Sequence, residues 1–562
     1  MKMNINNDNL VSIVEKTANI LRDVDGLTMA DAFDELIKVL YTQYVFDDAN
    51  KSITNFKKGY SEEVFDEKFF NTSSIAISDN SIKEILVLFD NIDFDAVDVK
   101  GRLFEIYLGR TFQGQLGQFF TPRNIVEFMA SYILQNVDRK EGISVLDPSC
   151  GSGGMLTYLN THIQGNLVGC EVDKRLIRVS NLNLTINNAK SFDVKEGSFL
   201  DKDFDQEFDV VISNPPFGIK EKQADILAKY ELGMKKASCE TELLFVENIL
   251  RALKPNGVCG IVLPQGALNN SSTKKMRNLL LDNATLLASV DLPSAVFKNT
   301  GTGVDTSLLF FRKAAASITK CKMYAVDSVG YETKTKFQRP LTENCLEDIL
   351  KDRKKPIEIN QSKLTDRLDA KYFINQQNNI NLPIKMNGYY EIITTTKKDL
   401  LKYLDNNDVI KYVQYSDIDN TFGFIKSHTE YTDKDLLPSR ASEIVCVGDV
   451  IVPRLGVSTD SVAIVTQEYN NTIVSSGFII LRPKTGYTTE FIFTLFKSKL
   501  VKKQMECLAT GSIMASVTDN YFSELRSRDL TTEEILNKEL AVKNAFIHIE
   551  KAKTLLQHQK WR

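Results

Sequence analysis

The 562-residue sequence predicts an open α/β domain built on a parallel sheet. A helical domain precedes it, and a second domain of mixed strands and helices follows. Three observations carry that expectation. From residue 143 onward, short apolar runs alternate with helical stretches, which is the pattern of repeated β-α-β units. The runs are continuously apolar, as expected of strands covered on both faces. A glycine-rich turn follows the first of them, and in such folds ligands bind beyond the carboxyl ends of the strands.

Taken in order, residues 1–97 show helical periodicity, as in ADAFDELIKVLYTQY and SIKEILVLFDNI, and no visible chemistry. Residues 98–318 form the α/β domain. SVLDP (144–148), NLVGCEV (166–172), FDVVISN (208–214) and GVCGIVLP (257–264) read as strands. KRLIRVSNLNLTIN and ETELLFVENILRALK read as the helices between them. Residues 319–362 are polar and turn-rich and read as an extension or linker. Residues 363–530 form the mixed domain, with strands in VIKYVQYSDI, GDVIVPRL, SVAIVTQ and TIVSSGFIILRP and a helix in TTEFIFTLFKSKLVKKQMECL. Residues 531–562 are helical. There Ile535, Val542, Ile549 and Leu556 lie seven apart, with Phe546 on the same side. That line suits a coiled-coil seam against another helix, within or between chains, or a face laid on the domain's own core.

Composition narrows the function classes. Hydrophobic content of 43% and charged content of 25% are those of an ordinary globular protein. No run approaches the roughly 20 apolar residues of a membrane span. The first residues, MKMNINNDNL, lack the apolar core of a signal peptide, so a cytoplasmic location is expected. Eight scattered cysteines and four histidines form no CxxC or metal-spaced cluster, and no metal is expected. The net charge of −4 neither demands nor excludes nucleic acid. The basic clusters 274–277, 353–355 and 497–503 read singly as solvated faces.

LDPSCGSGGML (146–156) follows a strand and opens a helix. Gly151, Gly153 and Gly154 remove Cβ atoms where a ligand would approach the backbone. The helix start beyond them offers free N–H groups to a carboxylate or phosphate. No Gly-Lys-Ser/Thr follows, so the turn is not a P-loop. Glu171 stands 24 residues after Asp147 at the tip of the second strand, the place of an acid that binds a ribose diol. Each feature alone has a structural explanation. Together they favour an adenosine-containing ligand, and a nucleoside bearing an amino-acid carboxylate fits better than a pyrophosphate.

SNPPFG (213–218) stands at the end of a central strand. Pro215 and Pro216 have no N–H, and Pro216 biases Pro215 toward an extended conformation. The loop therefore presents carbonyl acceptors, and Asn214 adds one from its side chain. Converging acceptors suit an amino group. An exocyclic ring amine is a poor nucleophile because its lone pair is delocalised. Acceptor bonds to both its hydrogens favour attack and stabilise the charge that develops. Phe217 would offer a stacking face to a base extruded from the duplex. As an isolated motif, the stretch would also serve as a rigid turn.

GQFFTPRNIVEFM (117–129), LDPSCGSGG, GCEVD (169–173), SNPPFG, GVCGIVLPQGAL and GTGVDTSLLFF together resemble the amino-group DNA methyltransferases that use S-adenosylmethionine. The order of motifs over roughly 100–350 is most similar to the modification subunits of Type I restriction–modification systems. The resemblance implies a class I, Rossmann-like, seven-stranded methyltransferase fold and transfer to adenine N6. It implies that Phe120, Thr121 and Pro122 sit at the methionine end of the cofactor. Asp147, Gly151 and Gly153 would line it, and Glu171 would hold the ribose hydroxyls. Asn214 and the Pro215 carbonyl would grip the amine, with Phe217 stacked on the base. Ser198 stands where the family commonly has an aspartate at the cofactor's adenine, with Asp201 as a substitute; Phe199 would stack on the cofactor ring or pack in the core. The Pro-Cys of cytosine C5 enzymes is absent, since Gln265 follows Pro264.

RLDAKYF (367–373), YSDI (415–418), GDVIVPRLG (448–456) and GSIMASVT (511–518) resemble the target-recognition domain of Type I specificity subunits. That likeness implies double-stranded DNA as partner, with Arg454 and Arg440 as candidate contacts. It also implies a terminal helix that pairs with a counterpart, in a homodimer or with a specificity or restriction subunit. No nuclease or helicase motif is found. The alternatives are a protein or RNA methyltransferase acting on an amide or amine, and a catalytically inactive DNA-binding regulator.

Overall fold

A computed structural model describes residues 7–45, 52–67, 69–89, 121–297, 303–313, 319–333, 339–454, 459–511 and 515–558. The periodic N-terminal sequence forms helices α1 (Asn7–Asp23), α2 (Met29–Val45), α3 (Ile53–Gly59) and α4 (Asp79–Phe89). Phe33, Leu36, Ile37 and Leu40 on α2 recur at helical spacing and are buried with Ile82, Ile85 and Phe89 of α4. The expected boundary near residue 98 lies outside the described residues.

The α/β part begins with α5 (Arg123–Gln135), which starts directly after Pro122. It continues through β1 (Glu141–Asp147), α6 (Gly154–Asn160), β2 (Gln164–Glu171), α7 (Lys174–Ile186), β3 (Phe192–Glu196), β4 (Phe208–Ser213) and α8 (Thr241–Ala252). Five strands complete the sheet: β5 (Leu253–Pro264), β6 (Ala284–Asp291), β7 (Thr306–Lys313), β8 (Lys320–Ala325) and β9 (Ile357–Asn360). The order is β9-β8-β6-β7-β5-β4-β1-β2-β3. Strands β3, β2, β1, β4 and β5 are mutually parallel. β7 runs antiparallel between β5 and β6.

The sheet thus has nine strands where the resemblance implies seven. The two additional strands come from 319–362, the stretch expected as a linker. β8 pairs parallel with β6, and β9 pairs antiparallel with β8. The carboxyl ends of β1, β2 and β4 fall side by side, because Asp147 pairs with Gly169 and Leu146 with Val211. α7 lies over this end of the sheet and shares its apolar face with the N-terminal helices: Leu176, Val179, Leu182 and Ile186 belong to their core.

The chain divides into two compact units, Met1–Ala370 and Lys371–Arg562. The second contains two four-stranded sheets. One orders 390–393, 478–483, 450–453 and 463–464; the other orders 429–431, 410–413, 472–475 and 441–445. Buried Asp449 accepts two bonds from Arg482, at 2.8 and 2.9 Å, and one from the Cys446 N–H at 2.8 Å. Helix α9 (Thr489–Lys497) packs against the terminal helix α10 (Thr532–His558). Ile535, Val542 and Phe546 of α10 rest on the unit's own core, with the Phe546 ring edge-on to Phe493 at 6.0 Å. The near half of the heptad line is therefore an intramolecular face. The Leu556 side chain lies outside the described residues. Among the described residues, no helix is long and apolar enough to cross a membrane, and no group of three metal-ligating side chains converges.

Candidate active site

β1 ends in Asp147 and the chain turns through Pro148–Gly153 before α6 begins. Gly151 and Gly153 are left-handed, at φ +53° and +79°. A Cβ on Gly153 would lie 2.5 Å from the Ser180 Oγ of α7, so the turn can press against that helix only without a side chain. β2 ends in Glu171, and Asp173 caps α7 by accepting from the Arg175 N–H at 2.9 Å.

These ends enclose a cavity of about 650 Å³, the size of a small-molecule site. Its lining includes Ser149, Gly151, Glu171, Ser198, Asn214 and Pro215. Glu171 accepts from the Gly151 N–H at 3.1 Å, the Val172 N–H at 2.8 Å and the Asp173 N–H at 2.9 Å. Burial raises its pKa against the pull of those three amides. Asp147, 2% exposed, accepts from the Ser149 N–H at 3.1 Å. Burial pushes its carboxyl up to about 7, and the charge of Glu171 adds to the rise. At the rim, Arg175 is paired with Asp173 at 2.7 Å and Lys174 with Glu196 at 3.3 Å. The inner end thus carries two carboxyls, and the rim cations Arg175 and Lys174 are paired, which suits a ligand carrying positive charge.

On the β4 side, Asn214 is held through one side-chain N–H and its main-chain carbonyl. Its Nδ2 donates to Thr121 Oγ1 at 2.9 Å, and its main-chain carbonyl accepts from Ser149 Oγ at 3.1 Å. Its Oδ1 is buried and has no hydrogen-bond partner among the described residues. An unmet buried acceptor on a cavity wall is a place for an incoming N–H.

The structure brings Thr121, Gly151, Glu171, Ser198, Phe199, Asn214, Pro215 and Pro216 to this site; Pro122 precedes α5 beside Thr121, Asp147 bonds the lining residue Ser149, and Gly153 lies off the lining against Ser180. Phe120 lies outside the described residues. The ring expected on the base sits elsewhere. Phe217 is buried, edge-on to Phe297 at 6.5 Å, and is not among the lining residues, because the apolar core takes its ring. Phe199 borders the cavity but packs with Phe204 and Phe245, at 6.2 and 5.2 Å. Ser198 Oγ accepts from the Leu200 N–H at 3.2 Å, capping a short turn. Asp201 is exposed and lies off the lining. Arg454, expected at DNA, pairs with Asp519 at 2.5 Å, a structural tie that occupies its guanidinium. Arg440 is exposed. Sequence reasoning did not single out Ser149 or Thr241.

Residues 95–386, just over half of the chain, match the family described as N-6 DNA Methylase. The chain is 29% identical over 255 residues to the Type I restriction enzyme EcoEI methylase subunit of Escherichia coli, covering 41% of this chain and 50% of that protein. It is 28% identical over 275 residues to the Type I restriction enzyme MjaIX methylase subunit of Methanocaldococcus jannaschii, covering 45% and 48%. The chain spans about half the length of these curated relatives. The type IIG restriction endonuclease BpuSI, at 13% identity and a TM-score of 0.52, shares the fold over 95% of this chain and 74% of its own. The family match takes in every strand of the nine-stranded sheet, the glycine turn and the Asn214 turn alike; the chain belongs to the N-6 DNA methylase family.

Proposed function

We propose that the protein is a site-specific DNA methyltransferase that moves the methyl group of S-adenosylmethionine to N6 of adenine in duplex DNA. The observation that carries this reading is the buried, unpartnered Oδ1 of Asn214 on the cavity wall. The residues present fit the cofactor. Gly151 of the glycine turn lines the cavity in a left-handed conformation, Glu171 stands at the strand tip suited to a ribose diol, and buried Asp147 and Glu171 favour positive charge. When bound, the cofactor supplies a methyl group activated by a positively charged sulfur.

The chain's own residues position the acceptor. Thr121 accepts one hydrogen of the Asn214 amide, which orients the side chain and leaves its oxygen for the amine. The Pro215 carbonyl is the second acceptor, and neither proline offers a competing N–H. Two acceptor bonds localise the amine's lone pair and stabilise the charge that grows on nitrogen. Positioning then contributes much of the acceleration, and the surplus proton of the methylated amine passes to water, so no side-chain base is required. The target base is flipped into the cavity, and Phe217 reaches it only if its ring leaves Phe297.

The second unit reads the DNA sequence. With Arg454 tied to Asp519, exposed Arg440 is the better placed of the two candidate contacts. The outward face of α10 carries exposed Leu536, Leu540 and Ile547, a stripe suited to pairing with a second copy or with a specificity or restriction subunit. The protein works in the cytoplasm as the modification component of a restriction–modification system or as an independent methylase. Incubation with tritiated S-adenosylmethionine and duplex DNA, RNA or protein tests the reading. Label is expected on adenine in duplex DNA alone; label elsewhere, or none, overturns it.

A further inference from the structure

The two acceptors of the Asn214 turn lie on a stretch of chain that can barely fasten itself. β4 keeps its pairing as far as Ser213, opposite Ile261 of β5. Pro215 and Pro216 follow Asn214, so the peptide units joining 214 to 215 and 215 to 216 have no N–H. Each has only its carbonyl as a hydrogen-bonding group. The Pro215 carbonyl is reserved for the amine. The Asn214 carbonyl is therefore the backbone group of these two units through which the turn can be fixed.

Ser149 of the glycine turn takes that carbonyl, donating from its Oγ at 3.1 Å. Ser213 Oγ lies 3.4 Å from Ser149 Oγ. A hydroxyl has one proton, so with that of Ser149 given to the carbonyl, Ser213 is the donor in this second contact. The backbone beneath Ser149 is fixed in turn. Its N–H donates to Asp147 Oδ1 at 3.1 Å, and the next N–H, of Cys150, donates to the Cys170 carbonyl of β2 at 3.0 Å. Ser149 also lines the cavity. One residue thus belongs to the glycine turn and holds the acceptor turn. Thr121 fixes the Asn214 side chain separately, through Nδ2.

We propose that Ser149 is a positioning residue for the transfer step: its hydroxyl sets the plane of the Asn214–Pro215 peptide, so that the Asn214 side-chain oxygen and the Pro215 carbonyl converge on one amine. The inference rests on the methyltransferase reading above. Ser149 acts through Asn214 and exchanges no proton with the substrate. Without the hydroxyl, the turn keeps its acceptors and its Thr121 bond but loses the restraint on the peptide between them. A misplacement of about 1 Å can slow a positioned reaction about 100-fold while leaving the rest of the site intact.

The test compares wild type, Ser149→Ala and Ser149→Thr in the full chain. Alanine removes only the hydroxyl, and threonine keeps it. Single-turnover methylation is measured on a duplex identified by sequencing DNA that the wild type has modified, alongside calorimetric affinity for S-adenosylmethionine and thermal melting. Ser149→Ala is expected to slow transfer about 10- to 100-fold. Its cofactor affinity is expected within about threefold of wild type, and its melting close to that of wild type. Ser149→Thr is expected to recover most of the rate. A Ser149→Ala variant as fast as wild type, a Ser149→Thr variant as slow as Ser149→Ala, or cofactor affinity lost in step with the rate overturns the inference. An inactive wild type overturns the methyltransferase reading instead.

Discussion

Asn214 is tethered and open at once. Thr121 accepts one of its amide hydrogens, which fixes the direction of the side-chain oxygen and leaves that oxygen unmet. Leaving such an acceptor buried costs about 1–3 kcal/mol, which an incoming amine would offset. Asn214→Ala is therefore expected to slow methyl transfer by about 100- to 1000-fold, the usual loss when one preorganised group is removed. Cofactor affinity, measured by calorimetry, should hardly change. Asp147 sets a pH dependence. Its folded pKa of about 7 lies above the unfolded value of about 3.9, so the folded chain holds the proton more tightly. The stability it contributes is complete below about pH 4 and is lost as pH rises toward about 7. Wild type should lose melting temperature over that window more steeply than Asp147→Asn. Asn214, Glu171 and the glycines were legible in the sequence because residue type and position after a strand define their chemistry. Ser149 was not, because its partner Asn214 lies 65 residues away. The places of Phe217 and Phe199 were ambiguous for another reason: an aromatic ring beside a strand end satisfies a core as readily as a ligand.

Among the elements, the turn between β1 and α6 carries the greatest constraint. Gly153→Ala would place a methyl group against Ser180 of α7 in a left-handed conformation. We expect a loss of about 1–3 kcal/mol in stability, together with weaker cofactor binding, read by thermal melting with and without ligand. The central strands were legible as apolar runs because both their faces are covered. The edge strands were not. β8 alternates exposed lysines with buried residues, and β9 is half-exposed along its length, so both resembled polar linker. The insertion of β7 between β5 and β6 is a long-range pairing that no local pattern encodes. For α10, the heptad spacing located the face, and packing decided that its near half serves the chain's own core.

At the scale of the whole molecule, the two units have separate apolar cores, and the division at 370 falls close to the composition change read near 363. The helical N-terminal segment showed no chemistry in its sequence, and none of its described residues lines the cavity. Its link to the site is mechanical. Leu176 borders the cavity and is also part of the core formed by the first ninety residues. Occupancy should therefore be felt at a distance: amide deuterium uptake in α2 and α4 is expected to slow when S-adenosylmethionine is added, although neither helix reaches it. Damage to that remote scaffold, such as Phe33→Ala, would then surface as a ligand that escapes too easily.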